Sequence, residues 1–259
     1  MPNVFKELVA RRELLLTLMT RTLKIRYKNS ALGFFWTLLG PVFLIAIYGA
    51  FLRIMRFPIR LAVLVTGIFV WQYLALCLGD AAHAVVGNAN LIKKAAFPRL
   101  VLPASMVLAN LVNFLLSLLV VGVYLAVSRI RPGPLVWLLP ALVTHVALCL
   151  GVACLVSALN VFFRDIQQMT GIFMMAWFFM TPVIYPLAEV TNRFGHTVLL
   201  QLYFLNPMTG LLSAYRAALL NEPLAEWALL WPSLAMAWLV CAAGILVFER
   251  CQARFADEL

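Results

Sequence analysis

The sequence predicts an all-α integral membrane protein with six transmembrane helices. Three observations predict it. The 259 residues are 64% hydrophobic and only 12% charged, where a soluble domain would be about 45–50% apolar and about 25% charged. The apolar residues fall in long runs, and about 20 apolar residues suffice to cross the hydrocarbon core as a helix. These runs do not alternate with period two. Backbone groups in lipid must be satisfied by helices or closed barrels, so helices are expected.

Residues 4–28 read as an amphipathic interfacial helix. Phe5, Leu8, Val9, Leu15, Leu16, Met19 and Leu23 recur near helical spacing, with Lys6, Arg11, Arg12, Arg21, Lys24, Arg26 and Lys28 among them. Such a helix lies on the membrane with its basic residues toward anionic headgroups, docks as an ordinary cytosolic helix, or does both. Residues 1–33 are therefore set apart as the interfacial helix and the entrance junction Ser30-Ala31-Leu32-Gly33. Residues 34–259 form the transmembrane domain.

The first span is placed at 34–52, where Pro41 is expected to kink it. The second is placed at 61–79, after a loop carrying Arg53, Arg56 and Arg60. A polar interval, 80–99, follows. Its Asn88-Ala89-Asn90 can cap a short helix bearing Lys93 and Lys94, which Phe97-Pro98 would end. The third span, 100–127, contains Asn110, Asn113 and Ser117. In a span such groups more often bind a neighbouring helix than a substrate. The fourth, 135–159, carries Gly151, Cys154, Ser157 and Ala158 as a small-residue stripe suited to close packing, and His145 as a packing residue.

The fifth span, 169–187, is dense in large side chains: Phe173, Met174, Met175, Trp177, Phe178, Phe179 and Met180 precede Thr181-Pro182. Composition alone supports a lipid-facing helix and a pore-facing aromatic ladder equally. Residues 188–226 are too broken to span. Asn206-Pro207 caps and starts a short helix over 208–220, so the region reads as a hairpin of re-entrant or interfacial helices. The last span is placed at 227–248.

Six spans put both termini on one side. The basic residues of the N-terminal helix, the 80–99 interval, Arg164, Arg250 and Arg254 outnumber the opposing set of Arg53, Arg56, Arg60, Arg129, Arg131, Arg193 and Arg216. The positive-inside rule then favours cytoplasmic termini. The net charge of +10 fits lipid headgroups and topology signals, not nucleic acid. The five cysteines have the spacing of neither a zinc site nor a disulfide framework. Charges throughout the first 30 residues argue against a cleavable signal peptide.

No catalytic or metal-binding constellation is visible. The chain has no G-x-x-x-x-G-K-[ST] phosphate loop, no G-x-S-x-G and no H-E-x-x-H. The acids in or beside the spans, Asp80, Asp165, Glu226 and Glu249, lie near membrane boundaries. Ion-coupled carriers place ionisable groups near the midplane. The sequence therefore reads as part of a machine whose energy source lies elsewhere.

An ordered set of short motifs carries a resemblance. It comprises Leu23-Lys24-Ile25-Arg26-Tyr27-Lys28, Leu32-Gly33-Phe34-Phe35-Trp36, Gly40-Pro41, Asn88-Ala89-Asn90-Leu91-Ile92-Lys93-Lys94, Phe97-Pro98-Arg99, Leu102-Pro103, Leu159-Asn160-Val161-Phe162-Phe163-Arg164-Asp165, Thr181-Pro182-Val183-Ile184-Tyr185, Leu205-Asn206-Pro207 and Arg254-Phe255-Ala256. The set resembles the membrane subunits of ATP-binding-cassette exporters for lipid-linked polysaccharides. Among them it is most similar to the O-antigen (Wzm-like) export permeases, and more distantly to those for teichoic acid and capsule.

The resemblance implies a type-2 ABC exporter permease fold in a bacterial inner membrane. It implies a homodimer paired with two copies of a separate ATPase that binds ATP and Mg, no cofactor on this chain, and a polyprenyl-pyrophosphate-linked polysaccharide as cargo. It assigns ATPase coupling to the interfacial helix and to Asn88, Asn90, Lys93, Lys94 and Arg99. It assigns the lipid-head entrance to Arg26, Lys28, Leu32 and Gly33, and the outer gate to 188–226. The channel would be lined by spans one and five, with Trp36, Phe173, Trp177, Phe178 and Tyr185 as candidates. The chemistry suits that role, because the C–H face of a sugar stacks on an aromatic ring without the hold of a deep hydrogen-bonding site. A drug, lipid or small hydrophobic cargo on the same architecture is the alternative.

Overall fold

The computed structural model describes residues 10–28, 30, 32–94, 97–195 and 197–259. Phe5, Lys6, Leu8, Val9 and Ala31 lie outside the described residues. Among the described residues the chain is helical, with no strand. In chain order the helices are α1 (Arg12–Tyr27), α2 (Trp36–Met55), α3 (Leu61–Ala84), α4 (Ala89–Lys94), α5 (Val101–Val127), α6 (Leu138–Phe162), α7 (Ile166–Phe179), α8 (Leu187–Phe194), α9 (Val198–Tyr203), α10 (Pro207–Leu220), α11 (Trp227–Cys251) and α12 (Phe255–Glu258).

Five of them, α2, α3, α5, α6 and α11, are long and apolar enough to cross a membrane. The expected fifth span differs from the 169–187 placement. Its helix α7 covers 166–179 and has 14 residues, a rise of about 21 Å against the roughly 30 Å of the hydrocarbon core. Pro182 is the physical reason. Proline disfavours the α conformation of the residue before it, and the chain tightens through Thr181 N–H donating to the Phe178 carbonyl (3.2 Å) before it turns away.

Two further boundaries move. α3 runs past residue 79 to Ala84, so Asp80 sits in helix and not in a loop. The sequence there is Asp-Ala-Ala-His-Ala, without a breaker and rich in the best helix former, and Ala81, Ala82 and Ala84 are buried. The stretch 187–194, at the start of the region read as a hairpin of short helices, is helix α8. The short helix predicted at 208–220 is present as α10, and all of its residues are buried within the bundle.

The contacts define two ends of the bundle. At one end Arg26 of α1 reaches Asp80 of α3, and Asn160 of α6 donates to the Ala82 carbonyl (2.7 Å). Arg99 donates to the Gln252 carbonyl after α11, and Phe162 packs on Phe255 (6.1 Å). Both described ends of the chain therefore gather there. At the other end Arg60 pairs with Glu222, Gly133 N–H donates to the Ala218 carbonyl (3.0 Å), and Trp137 meets Trp227 edge-on (5.9 Å).

α3 is the central helix, buried along most of its length. Val70, Leu74, Cys77 and Ala81 are fully enclosed by residues of α5, α6 and α10. α6 and α11 form the closest pair. A Cβ added at Gly244 would collide with the Gly151 carbonyl, and one added at Gly151 would collide with the Cys241 backbone. Lipid tails are as apolar as side chains, so helices here gain by van der Waals fit, which small residues permit. The expected stripe on the fourth span does this, with Cys154, Ser157 and Ala158 fully buried along it.

Of the five long apolar helices α2 is the least buried, and in the shorter α7 no residue is buried. These are the first span and the fifth segment, the pair assigned by resemblance to the channel wall.

Candidate functional site

Three regions carry the chemistry-bearing side chains. The first surrounds the end of α7. Asn206 caps α10, its side-chain oxygen accepting from Met208 N–H (3.1 Å) as the Asn-Pro pair predicts. The same oxygen accepts from the Trp177 indole N–H (2.8 Å). Its amide nitrogen donates to Thr181 Oγ1 (2.9 Å) and to the Met180 carbonyl (3.2 Å). Its own carbonyl accepts from Ser233 of α11 (2.6 Å). One residue thus ties together α7, α10 and α11.

The aromatic candidates sort around this hub. Trp177 and Phe178 are half-buried and meet Trp71 of α3 edge-on at 5.8 and 5.5 Å. Phe173 lies one turn below Trp177 (5.3 Å) and is exposed. Tyr185 donates to the Phe179 carbonyl (3.1 Å) and shares a hydrogen bond with Tyr203 (3.1 Å). Together they form a continuous run along α7 and the turn after it. Trp36, the fifth candidate, lies elsewhere, on the wall of a cavity described below.

Arg216, counted by sequence among outward-loop charges, is instead buried on α10 with 2% exposure. Its guanidinium donates to the carbonyls of Tyr185 (3.1 Å) and Val183 (2.9 Å). These carbonyls belong to the turn that Pro182 creates, whose backbone presses on Gly67 so closely that a Cβ there would collide with the Val183 carbonyl. The signal for Arg216 was present: one cation in the otherwise uncharged run 208–220. Intramembrane cations are expensive and find partners.

The second region is at the end where the chain termini gather. Arg26 donates to Asp80 (2.6 Å) and to Asn110 Oδ1 (2.9 Å), and Asn110 Nδ2 donates to Asp80 (2.7 Å). This closed triad joins α1, α3 and α5, and it satisfies the expectation that Asn110 serves a neighbouring helix. Below it Thr22 reaches Met106 (3.6 Å) and Leu18 is buried, so the Leu18-Thr22-Arg26 face of α1 packs along α5. Arg12, Arg21, Lys24 and Lys28 stay exposed on α1 and at its end. Beside them Leu32 is exposed, and Gly33 takes a φ of +49°, a conformation that costs L-residues about 1 kcal/mol or more.

The triad forms one wall of a cavity of about 330 Å³ between α1, α2, α3 and α5, lined also by Trp36, Gln72, Asn113 and Ser117. Sequence reasoning passed over Asp80 and Gln72. The first was read as loop, and the second is a single amide within an apolar run.

The third region is the 86–99 segment. Asn88 does not cap α4; its amide donates back to the Ala84 carbonyl (2.9 Å). Arg99 is committed to Gln252, and Ile92 is buried. Asn90, Lys93 and Lys94 are exposed at this end of the bundle.

A buried polar pair in the core lies behind the cavity wall, where Tyr73 and Phe114 separate it from the cavity. Tyr215 meets His145 Nδ1 (3.4 Å), and His145 packs edge-on against Tyr73 (4.8 Å) and Phe114 (5.7 Å). This is the packing role expected of that histidine.

Comparison with known proteins adds the family. The family described as "ABC-2 type transporter" matches residues 13–220. The chain is 33% identical to an O-antigen export system permease protein RfbA of Myxococcus xanthus, over 100% of both chains. It is 29% and 28% identical to two proteins of the same name from Klebsiella pneumoniae, over 95% of each chain.

Proposed function

The chain belongs to the ABC-2 type transporter family, and from that premise we propose that it is the membrane-spanning subunit of an ATP-driven exporter of lipid-linked, O-antigen-like polysaccharide. The observation that carries this reading is the likeness over its whole length to permeases named for O-antigen export. Their names favour a polymer over a drug or lipid on the same architecture.

The finer reading is as follows. Two copies of the chain face each other across α2, the least buried of the five long apolar helices, and α7, in which no residue is buried. They enclose a channel in which Phe173, Trp177, Phe178 and Tyr185 offer successive ring faces to passing sugars. α7 and its Pro182 turn count as the fifth of six crossings, in support of which Arg216 ties that turn to the level of Val63, near the start of α3. The helices α8 and α9 with the buried α10 form the outer gate, hinged at Asn206.

The end that gathers both termini faces the cytoplasm of a bacterial inner membrane. There Asn90, Lys93 and Lys94 with the exposed face of α1 meet two copies of a separate ABC ATPase. That partner holds ATP and Mg, and this chain binds no cofactor. Arg26 is engaged by Asp80, so Lys28, Arg21 and Lys24 are the cations free to attract the polyprenyl pyrophosphate beside Leu32 and Gly33.

Deletion of the gene in its host tests the reading. Lipid-linked polymer accumulates inside and disappears from the cell surface, and the intact gene restores it. Unchanged distribution of surface and internal polymer would overturn the cargo assignment.

A further inference from the structure

The cavity between α1, α2, α3 and α5 has a composition unlike a packing gap. Its volume of about 330 Å³ falls within the roughly 300–1,000 Å³ of small-ligand sites. Its lining includes the amide-bearing Gln72 and Asn113 and the hydroxyl-bearing Thr37 and Ser117, with the ring of Trp36 at one side. Its only charged groups among the described lining residues, Arg26 and Asp80, neutralise each other at 2.6 Å with Asn110 bonded to both.

Gln72 is the most informative member. It stands at the middle of α3, a 24-residue helix, and its amide has no hydrogen-bond partner among the described residues. Gln72 is half-buried, so its unpartnered amide is reachable from the cavity and open to a hydrogen bond from whatever occupies it. Its neighbour Trp71 faces the aromatic run of α7, whereas Gln72 faces the cavity. The cavity is therefore separate from the run along α7. It opens where Trp36 and Leu76 remain exposed, 46% and 37%.

We propose that this cavity is a binding site for one neutral sugar ring. It lies close to the Leu32–Gly33 junction, beside the proposed cytoplasmic entrance. Amide and hydroxyl groups around an aromatic face match a hydroxyl-rich ring. The cancelled charge disfavours a phosphate, which the Asp80 carboxylate would repel. The site would take a terminal sugar of the polymer before the chain enters the α7 run. The inference rests on the polysaccharide reading above, which names the cargo class.

The test uses the purified full-length protein with its ATPase in lipid nanodiscs and an octyl glucoside carrying a photoreactive diazirine. Labelled peptides are mapped by mass spectrometry. Labelling is expected in the segments bearing Trp36 and Gln72, and excess unlabelled octyl glucoside is expected to displace it while a sugar-free octyl detergent does not. Gln72→Leu should weaken apparent affinity about three- to tenfold, the factor of one neutral hydrogen bond. Leu76→Trp, which fills the mouth, should abolish labelling there.

Equal displacement by the sugar-free detergent, displacement by inorganic pyrophosphate, or unchanged labelling in both variants would overturn the proposal. The gene-deletion result is independent of this one. Loss of surface polymer together with unchanged labelling sinks the cavity alone. Sugar-dependent labelling with normal surface polymer sinks the cargo assignment alone.

Discussion

Replacing Asn206 by alanine should cost about 3 kcal/mol of stability, because one amide holds four contacts. It accepts from Trp177 and Met208 and donates to Thr181 and Met180, all between 2.8 and 3.2 Å. A typical internal hydrogen bond contributes about 0.5–1.5 kcal/mol net, so four give about 2–6 kcal/mol. The capping contact alone accounts for about 1 kcal/mol of that. The residue is half-buried and relaxation recovers part of the loss, hence the lower half of the range.

Asn206→Asp keeps the two accepting contacts and loses the two donating ones, and should cost about half as much. The assay is SDS-titrated unfolding in mixed micelles, followed by tryptophan fluorescence. A double-mutant cycle with Trp177→Phe, which keeps a ring but removes the indole N–H, should give a coupling of about 1 kcal/mol. A loss below about 1 kcal/mol for Asn206→Ala, or strict additivity in the cycle, would refute the assignment of Asn206 as the hinge between α7 and the gate helices.

Gly244→Ala should destabilise the fold by at least about 2 kcal/mol in the same titration, since the new methyl collides with the Gly151 backbone and overpacking typically costs about 1–3 kcal/mol; an unchanged midpoint would contradict the close approach of α6 and α11. Asp80→Asn should loosen α1, seen as faster limited proteolysis between α1 and α2, and normal protection would remove the triad's anchoring role. Its effect on global stability should stay near 1 kcal/mol, because both side chains are about a quarter to a third exposed. The double reversal Lys93→Glu with Lys94→Glu should leave the fold intact and uncouple the partner's ATP hydrolysis from transport; coupled hydrolysis at the normal rate would take α4 out of the ATPase contact. Phe173→Ala should lower export severalfold at stability within about 0.5 kcal/mol of the parent, because its ring is 57% exposed; normal export would remove that ring from the pathway.

Much of this was legible in the sequence. Long apolar runs located five spanning helices to within a few residues, because burial in lipid imposes a length and leaves little choice of backbone. The Asn206-Pro207 pair foretold the start of α10, since a cap and a first-turn proline are local signals. The Gly151 stripe foretold a close helix pair, though not that its partner would be α11.

What stayed illegible was set by tertiary contact. Asp80 reads as the beginning of a loop until Arg26, distant in sequence, arrives to pair with it. Arg216 reads as an outward charge until the Pro182 turn supplies two carbonyls. Trp177 reads as a ring face, and only the structure shows that its N–H is held by Asn206, so its indole also ties α7 to the start of α10. Asn88 had the right composition for a cap, but its amide turned back to the last turn of α3.

The most direct test of the account is ATP-dependent translocation in inverted inner-membrane vesicles containing this chain and its ATPase. In these vesicles the cytoplasmic face is outside, so exported polymer ends in the lumen. The account predicts that lipid-linked polysaccharide becomes protected from an added glycosidase only when ATP is supplied, and that vesicles lacking this chain give no protection. Polymer that stays accessible with ATP present, or that becomes protected without this chain, would contradict it.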